Sequence, residues 1–145
     1  MVKVLFICHG NICRSPMAEF IFKKIVSDAG LENRFQIESG ATSTEEIGND
    51  IYPPAKAKLR EHNVPFSSRG AWQVKAEDYE KYDYIYCMDQ ANYRNLQLIF
   101  GGDPQGKVKK LLGDRDVADP WYTRDFEKAY RDIREGCEAL LSYLI

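Results

Sequence analysis

Residues 8 to 15 read Cys-His-Gly-Asn-Ile-Cys-Arg-Ser, so a thiol is followed six positions later by a guanidinium. The five residues between them suffice to wrap backbone N–H groups around a tetrahedral dianion. A helix opening at Arg14 would aim its partial positive charge at the same point. Gly10 is free to take a positive φ and Asn11 tolerates the left-handed region, so the loop from His9 through Ile12 and Cys13 to Ser15 can curl into a phosphate cradle. Arg14 offers a planar fork that can grip two phosphoryl oxygens and stabilise the charge that moves onto them in a transition state. N–H donors, a guanidinium and a helix amino terminus all favour thiolate over thiol, which makes Cys8 the expected nucleophile. Ser15 either donates a hydrogen bond to that sulfur or caps the helix.

Expelling an alkoxide or aryloxide from phosphorus also needs a proton donor. Two Asp-Pro pairs compete for the post. Asp103-Pro104 lies within Gly-Gly-Asp-Pro-Gln-Gly, which reads as a surface turn without chemistry. Asp119-Pro120 is followed by Trp121 and Tyr122, and Pro120 biases Asp119 toward an extended conformation. These residues leave Asp119 either the general acid or another turn aspartate. A zinc site on Cys8, His9 and Cys13 is disfavoured because Cys87 and Cys137 supply no second spaced pair of ligands. No metal and no cofactor is expected.

These residues need a frame. Val2–Ile7 is an apolar run broken only by Lys3, as in a parallel strand covered on both faces, and Cys8 falls at its end. Apolar residues at helical spacing follow from Pro16 to Ala29, with Gly30 as the stop. Phe35, Ile37 and Ser39 alternate as a second strand, residues 40 to 50 read as a loop, and Pro53-Pro54 opens a helix through Leu59 to His62. Tyr82–Met88 reads as a third strand, Asn92–Phe100 as a helix, and Lys107–Leu112 as a weaker fourth strand. Phe126, Tyr130, Ile133, Cys137, Leu140, Leu141 and Leu144 mark a closing amphipathic helix. The alternation predicts an α/β fold with a parallel, doubly wound sheet, whose ligands bind at the carboxyl ends of the strands, where Cys8 lies.

The chain of 145 residues, 44% hydrophobic, has the length of one domain with its own core. A net charge of -2 gives no general pull toward nucleic acid or anionic membrane. No apolar run approaches the roughly 18 residues of a membrane span, and the expectation is a soluble, unprocessed, cytoplasmic protein. Four scattered cysteines make no disulfide scaffold. His62 is expected to face solvent and Cys137 to lie in the core, while Tyr79, Tyr82, Tyr84 and Tyr86 divide between core and surface.

Taken together, the run from Cys8 to Glu19, Ser39-Gly-Ala-Thr-Ser-Thr, Cys87-Met-Asp and Asp119-Pro-Trp-Tyr resemble the low-molecular-weight protein tyrosine phosphatases over nearly the whole chain. The resemblance implies one domain over residues 1–145, with a four-stranded parallel sheet in the order 2-1-3-4 and helices on both faces. It implies a metal-independent, two-step hydrolysis of phosphotyrosine. Cys8 would attack phosphorus, Arg14 and the loop His9, Gly10, Asn11, Ile12, Cys13 and Ser15 would hold the phosphoryl group, and Asp119 would serve as acid and then base. Asp89 matches a supporting carboxylate, and Trp121 and Tyr122 match the aromatic pair beside the acid. Cys13 matches a second loop cysteine that can trap an oxidised nucleophile as a disulfide, unless it is simply a small buried residue. Glu45 stands in the cleft where family members usually place Trp or Tyr.

The partner so implied is a phosphotyrosine-containing protein, with the chain itself a monomer or weak homodimer. Related arginine-phosphate phosphatases carry threonine where this chain has Ile12, which favours an aromatic substrate. Thioredoxin-coupled arsenate reductase would need shuttle cysteines that Cys87 lacks beside it. A non-catalytic phosphate-binding module would have no use for intact Cys8 and Asp119.

Overall fold

The computed structural model describes residues 1–145. Strands β1 (Val2–Cys8), β2 (Phe35–Ala41), β3 (Tyr84–Cys87) and β4 (Val108–Lys110) form one parallel sheet in the order β2-β1-β3-β4. Helices α1 (Arg14–Asp28), α2 (Pro53–Glu61), α3 (Gln90–Phe100), α4 (Pro120–Thr123) and α5 (Phe126–Leu144) complete a single α/β domain with the expected strand order.

The apolar run of β1 follows from its central place, since successive side chains of a strand point to opposite faces. Val4, Phe6 and Cys8 join the core with α1 and α5, whereas Leu5 and Ile7 join Val74, Ile85, Cys87 and Leu96 on the other face. Register places Cys8 beside Ala41 and Ile7 beside Cys87. The chain turns from β1 outward to β2, then crosses back to β3. The carboxyl ends of β1 and β3 therefore border the crevice at which such sheets bind ligands. Cys8 ends one of these strands, and Asp89 follows the other by two residues.

Helix α1 opens two residues before Pro16, at Arg14. Proline is tolerated there because N–H groups of a first turn have no helical partner to lose. Gly30, at φ 71°, donates its N–H to Ser27 O and ends the helix. The third and fourth strands are shorter than expected. Tyr82 instead follows a 3-10 segment, Ala76–Lys81, and Asp83 donates to the Lys3 carbonyl.

Helix α4 is a single turn that sequence periodicity is too short to reveal. Tyr79, Tyr82 and Tyr86 are buried, and Tyr84 stacks on Tyr86. Cys137 is fully buried as expected. His62 does not simply face solvent: its ring stacks on Tyr130 at 3.7 Å between centroids, and its Nε2 lies 3.0 Å from Glu127.

Candidate active site

The loop after β1 wraps the Cys8 sulfur. Ser15 Oγ lies 3.0 Å from Sγ, and the Asn11 N–H donates to Sγ at 3.3 Å. The N–H groups of His9, Gly10, Ile12 and Cys13 find no acceptor within the protein. Asn11, at φ 59°, takes the left-handed conformation that turns the loop; Gly10 does not. Asn11 stays in that conformation because its side chain is held, with Nδ2 donating to Ser15 Oγ at 2.8 Å and Ser39 Oγ at 3.0 Å. Ser15 is not a cap. It lies inside α1, whose N-cap is Cys13, and its Oγ faces the sulfur and the Gly40 carbonyl.

Arg14 opens α1 with a side chain 3% exposed. Its Nη1 donates to Asp89 Oδ2 and to the Val117 carbonyl, each at 2.8 Å, and its Nη2 donates to Asp119 Oδ2 at 3.3 Å. Burial works against the charge, but Cys8, Asp119 and Asp89 outweigh it and the guanidinium's pKa is raised. The fork has five N–H donors, so Nε and one Nη2 hydrogen remain for a two-point grip on an oxyanion. Asp89 is fixed from both ends, since its Oδ1 caps α3 by accepting the Asn92 N–H at 2.8 Å.

Asp119 is extended, as Pro120 dictates, and forms the N-cap of α4, its Oδ1 accepting the Trp121 N–H at 3.0 Å. Cap geometry thus aims its other carboxylate oxygen at Arg14. Asp103, the rival, is structural: it accepts the Tyr79 hydroxyl at 2.5 Å and the N–H groups of Lys107 and Val108.

A cleft of about 120 Å³ opens over Cys8 and is lined by the loop together with Glu45, Glu46, Asp119, Trp121 and Tyr122. Glu45 lines this cleft and pairs with His9 at the rim, 2.9 Å apart. Tyr52 lies beneath the other wall, its ring 4.8 Å from Trp121 and its N–H on the Ile12 carbonyl. Ile12 is buried at the cleft's edge. Cys13 also lines it, and burial followed by the neighbouring Cys8 charge pushes its thiol well up, so Cys13 stays protonated.

Two contributors escaped the sequence reading. Arg69 donates from Nη2 to both the carbonyl and the Oδ1 of Asn11, and from Nη1 to the Asn49 carbonyl. It reaches the loop across 58 positions, and Ser-Ser-Arg-Gly offers no spacing signal. Glu19 accepts the Ser39 hydroxyl at 2.6 Å, behind Asn11. Its only signal is a carboxylate between Ala18 and Phe20 on a helix face that is buried.

No metal site forms around Cys8, His9 and Cys13. The three-residue group whose ligand atoms converge is Glu61, His62 and Glu127, away from the cleft, and Lys58 already bridges both carboxylates. Burial pushes the Cys87 thiol up to about 12, a poor setting for a shuttle cysteine.

Residues 3–145 match the family described as low molecular weight phosphotyrosine protein phosphatase. A chicken (Gallus gallus) protein of that name is 40% identical over 148 aligned positions, which cover 96% of this chain and 93% of the relative. The crystal structure of YfkJ from Bacillus subtilis superposes with a TM-score of 0.95 at 38% identity, covering 99% of this chain and 94% of that one. The crystal structure of SP-PTP, a low molecular weight protein tyrosine phosphatase from Streptococcus pyogenes, gives 0.93 at 40% identity, with 100% and 94% covered.

Proposed function

The chain belongs to the low molecular weight phosphotyrosine protein phosphatases, and from that premise we propose that it hydrolyses phosphotyrosine in proteins through a phosphocysteine formed on Cys8. The observation that carries this reading is the loop itself: a sulfur held by Ser15 and Asn11, four neighbouring N–H groups without an acceptor, and a guanidinium fixed beside them.

The phosphoryl oxygens take the free N–H groups and the open edge of Arg14, and Sγ attacks phosphorus opposite the tyrosine oxygen. Asp119, in its carboxylic acid form, gives its proton to the departing phenolate. The S–P bond forms as the O–P bond breaks. In the second step Asp119 accepts a proton from water, water oxygen bonds to phosphorus, and the electron pair returns to Sγ, steadied by the Ser15 hydroxyl. Trp121 and Tyr122 flank the phenyl ring, and Ile12 gives it an apolar edge, which favours phosphotyrosine over phosphoarginine.

The test is hydrolysis of p-nitrophenyl phosphate and a phosphotyrosine peptide without added metal. Wild type turns over both, Cys8→Ser releases no phosphate, and Asp119→Ala falls sharply. A wild type that binds phosphate and hydrolyses neither substrate would overturn the reading in favour of a binding module.

A further inference from the structure

The cleft carries opposite charge at its floor and its rim. At the floor lie Arg14 and the unpaired N–H groups of the loop. At the rim lie Glu45 and Glu46, on the loop after β2, facing a cleft whose aromatic wall comes from the segment after β4. β2 and β4 lie on opposite sides of β1 in the sheet, so the acidic and aromatic walls flank Cys8 from two sides. The Glu45 side chain is 68% exposed, and only its Oε2 is engaged, by His9. Glu46 packs its stem toward Gly10 and gives one oxygen to Asn49 Nδ2 at 2.6 Å.

Neither carboxylate has a lysine or arginine partner. Arg14 is buried below, bound to Asp89 and Asp119. Arg124 lies over the Trp121 ring and donates to the Tyr52 hydroxyl, on the aromatic side. Arg69 is turned to the back of Asn11. His9 is the one basic side chain at the acidic rim.

We propose that the Glu45 and Glu46 wall makes this chain select phosphotyrosine flanked by lysine or arginine. The proposal rests on the phosphatase reading above and adds the substrate class. A ligand with its dianion on the positive floor and a cation at the negative rim matches both layers at once, whereas an acidic flank is repelled by the same wall that the phosphate must pass. The Debye length is about 10 Å at 0.1 M salt, so a preference set by exposed rim carboxylates depends on ionic strength.

Two phosphotyrosine peptides identical except for lysine or glutamate on either side of the phosphotyrosine test it. For wild type at low salt, kcat/KM favours the lysine peptide by about threefold to tenfold, the range for one or two exposed ion pairs. The ratio falls toward unity at about 0.5 M salt, where screening leaves a few ångströms of reach. In Glu45→Lys/Glu46→Lys the ratio inverts, and in Glu45→Gln it shrinks; because each ratio is taken within one enzyme, any loss of folded protein cancels. Equal turnover of the two peptides, preference for glutamate, or a ratio indifferent to the double substitution would overturn the proposal. Wild-type p-nitrophenyl phosphate hydrolysis separates the two failures: if it is present while the peptides are equal, only the rim proposal fails; if it is absent, the phosphatase reading fails first.

Discussion

Arg14 Nη1 lies 2.8 Å from Asp89 Oδ2, and the other oxygen of the same carboxylate caps α3. A helix terminus on the far side of the crevice thus sets the angle of the guanidinium. Because Nη1 is spent on Asp89 and Val117, the Nε edge is the one left for phosphate.

Asp89→Asn should leave a folded enzyme whose Arg14 is less firmly set, with kcat down about tenfold to hundredfold, the worth of a hydrogen bond to a charged group. Arg14→Lys replaces the fork with a point charge and should cost about a hundredfold or more. Steady-state kinetics beside a circular dichroism melt check both. An Asp89→Asn enzyme with unchanged kcat would show that the ion pair does not position the arginine.

The two Asp-Pro aspartates should separate cleanly. Asp119→Asn lowers kcat by about a hundredfold or more and barely moves the melting midpoint. Asp103→Asn does the reverse, removing about 2 kcal/mol of stability through its bonds to Tyr79, Lys107 and Val108 while the folded fraction stays active. Burial alone would raise the Asp103 pKa, but the Tyr79 hydroxyl and the backbone N–H groups prevail and lower it. A depressed carboxyl pKa contributes stability above its unfolded value of about 4 and loses it as pH falls through the folded value. Asp103→Asn should therefore melt lower than wild type at pH 7, with the gap closing in acid. A constant gap from pH 7 to pH 2 would contradict the assignment.

Ser15→Ala removes the hydroxyl 3.0 Å from Sγ. On the proposed mechanism that contact steadies the sulfur as it leaves phosphorus, and breakdown of phosphocysteine should slow by about tenfold. Stopped-flow release of p-nitrophenol should then show a burst followed by a slower steady rate. Loss of the burst together with the steady rate would place the serine in the first step instead.

Arg69→Gln withdraws the guanidinium that grips both oxygens of Asn11, the loop residue in the left-handed region. The Asn11 N–H that touches Sγ then loses its anchor. Turnover of p-nitrophenyl phosphate should fall by about tenfold, and Arg69→Lys should restore part of the loss. An unchanged kcat in Arg69→Gln would reduce Arg69 to a surface brace.

What could be read before the fold was whatever is contiguous. Cys8 to Ser15 act within one turn of chain, so strand end, loop and helix start are all written locally. Asp103 was set aside by its Gly-rich turn, and Asp119 was narrowed by Pro120 and its aromatic neighbours, although only resemblance to a family separated a general acid from another turn aspartate there. Arg69 and Glu19 meet the loop through tertiary contacts, which no spacing encodes. Gly10 and Asn11 were both open to the left-handed region; Asn11 alone takes it, where Ser15, Ser39 and Arg69 hold its side chain. Ser15 has the composition of a cap, but the helix begins one residue ahead of it.

The most direct test of the phosphocysteine is to trap it. Asp119→Ala, impaired as the base of the second step, is mixed with p-nitrophenyl phosphate, quenched in acid, digested and read by mass spectrometry. A phosphoryl group on the peptide carrying Cys8, absent when Cys8→Ser is treated alike, is the expected result. Phosphate release from Cys8→Ser at the wild-type rate, with no phosphoryl group on the Cys8 peptide under any quench, would contradict a cysteine nucleophile.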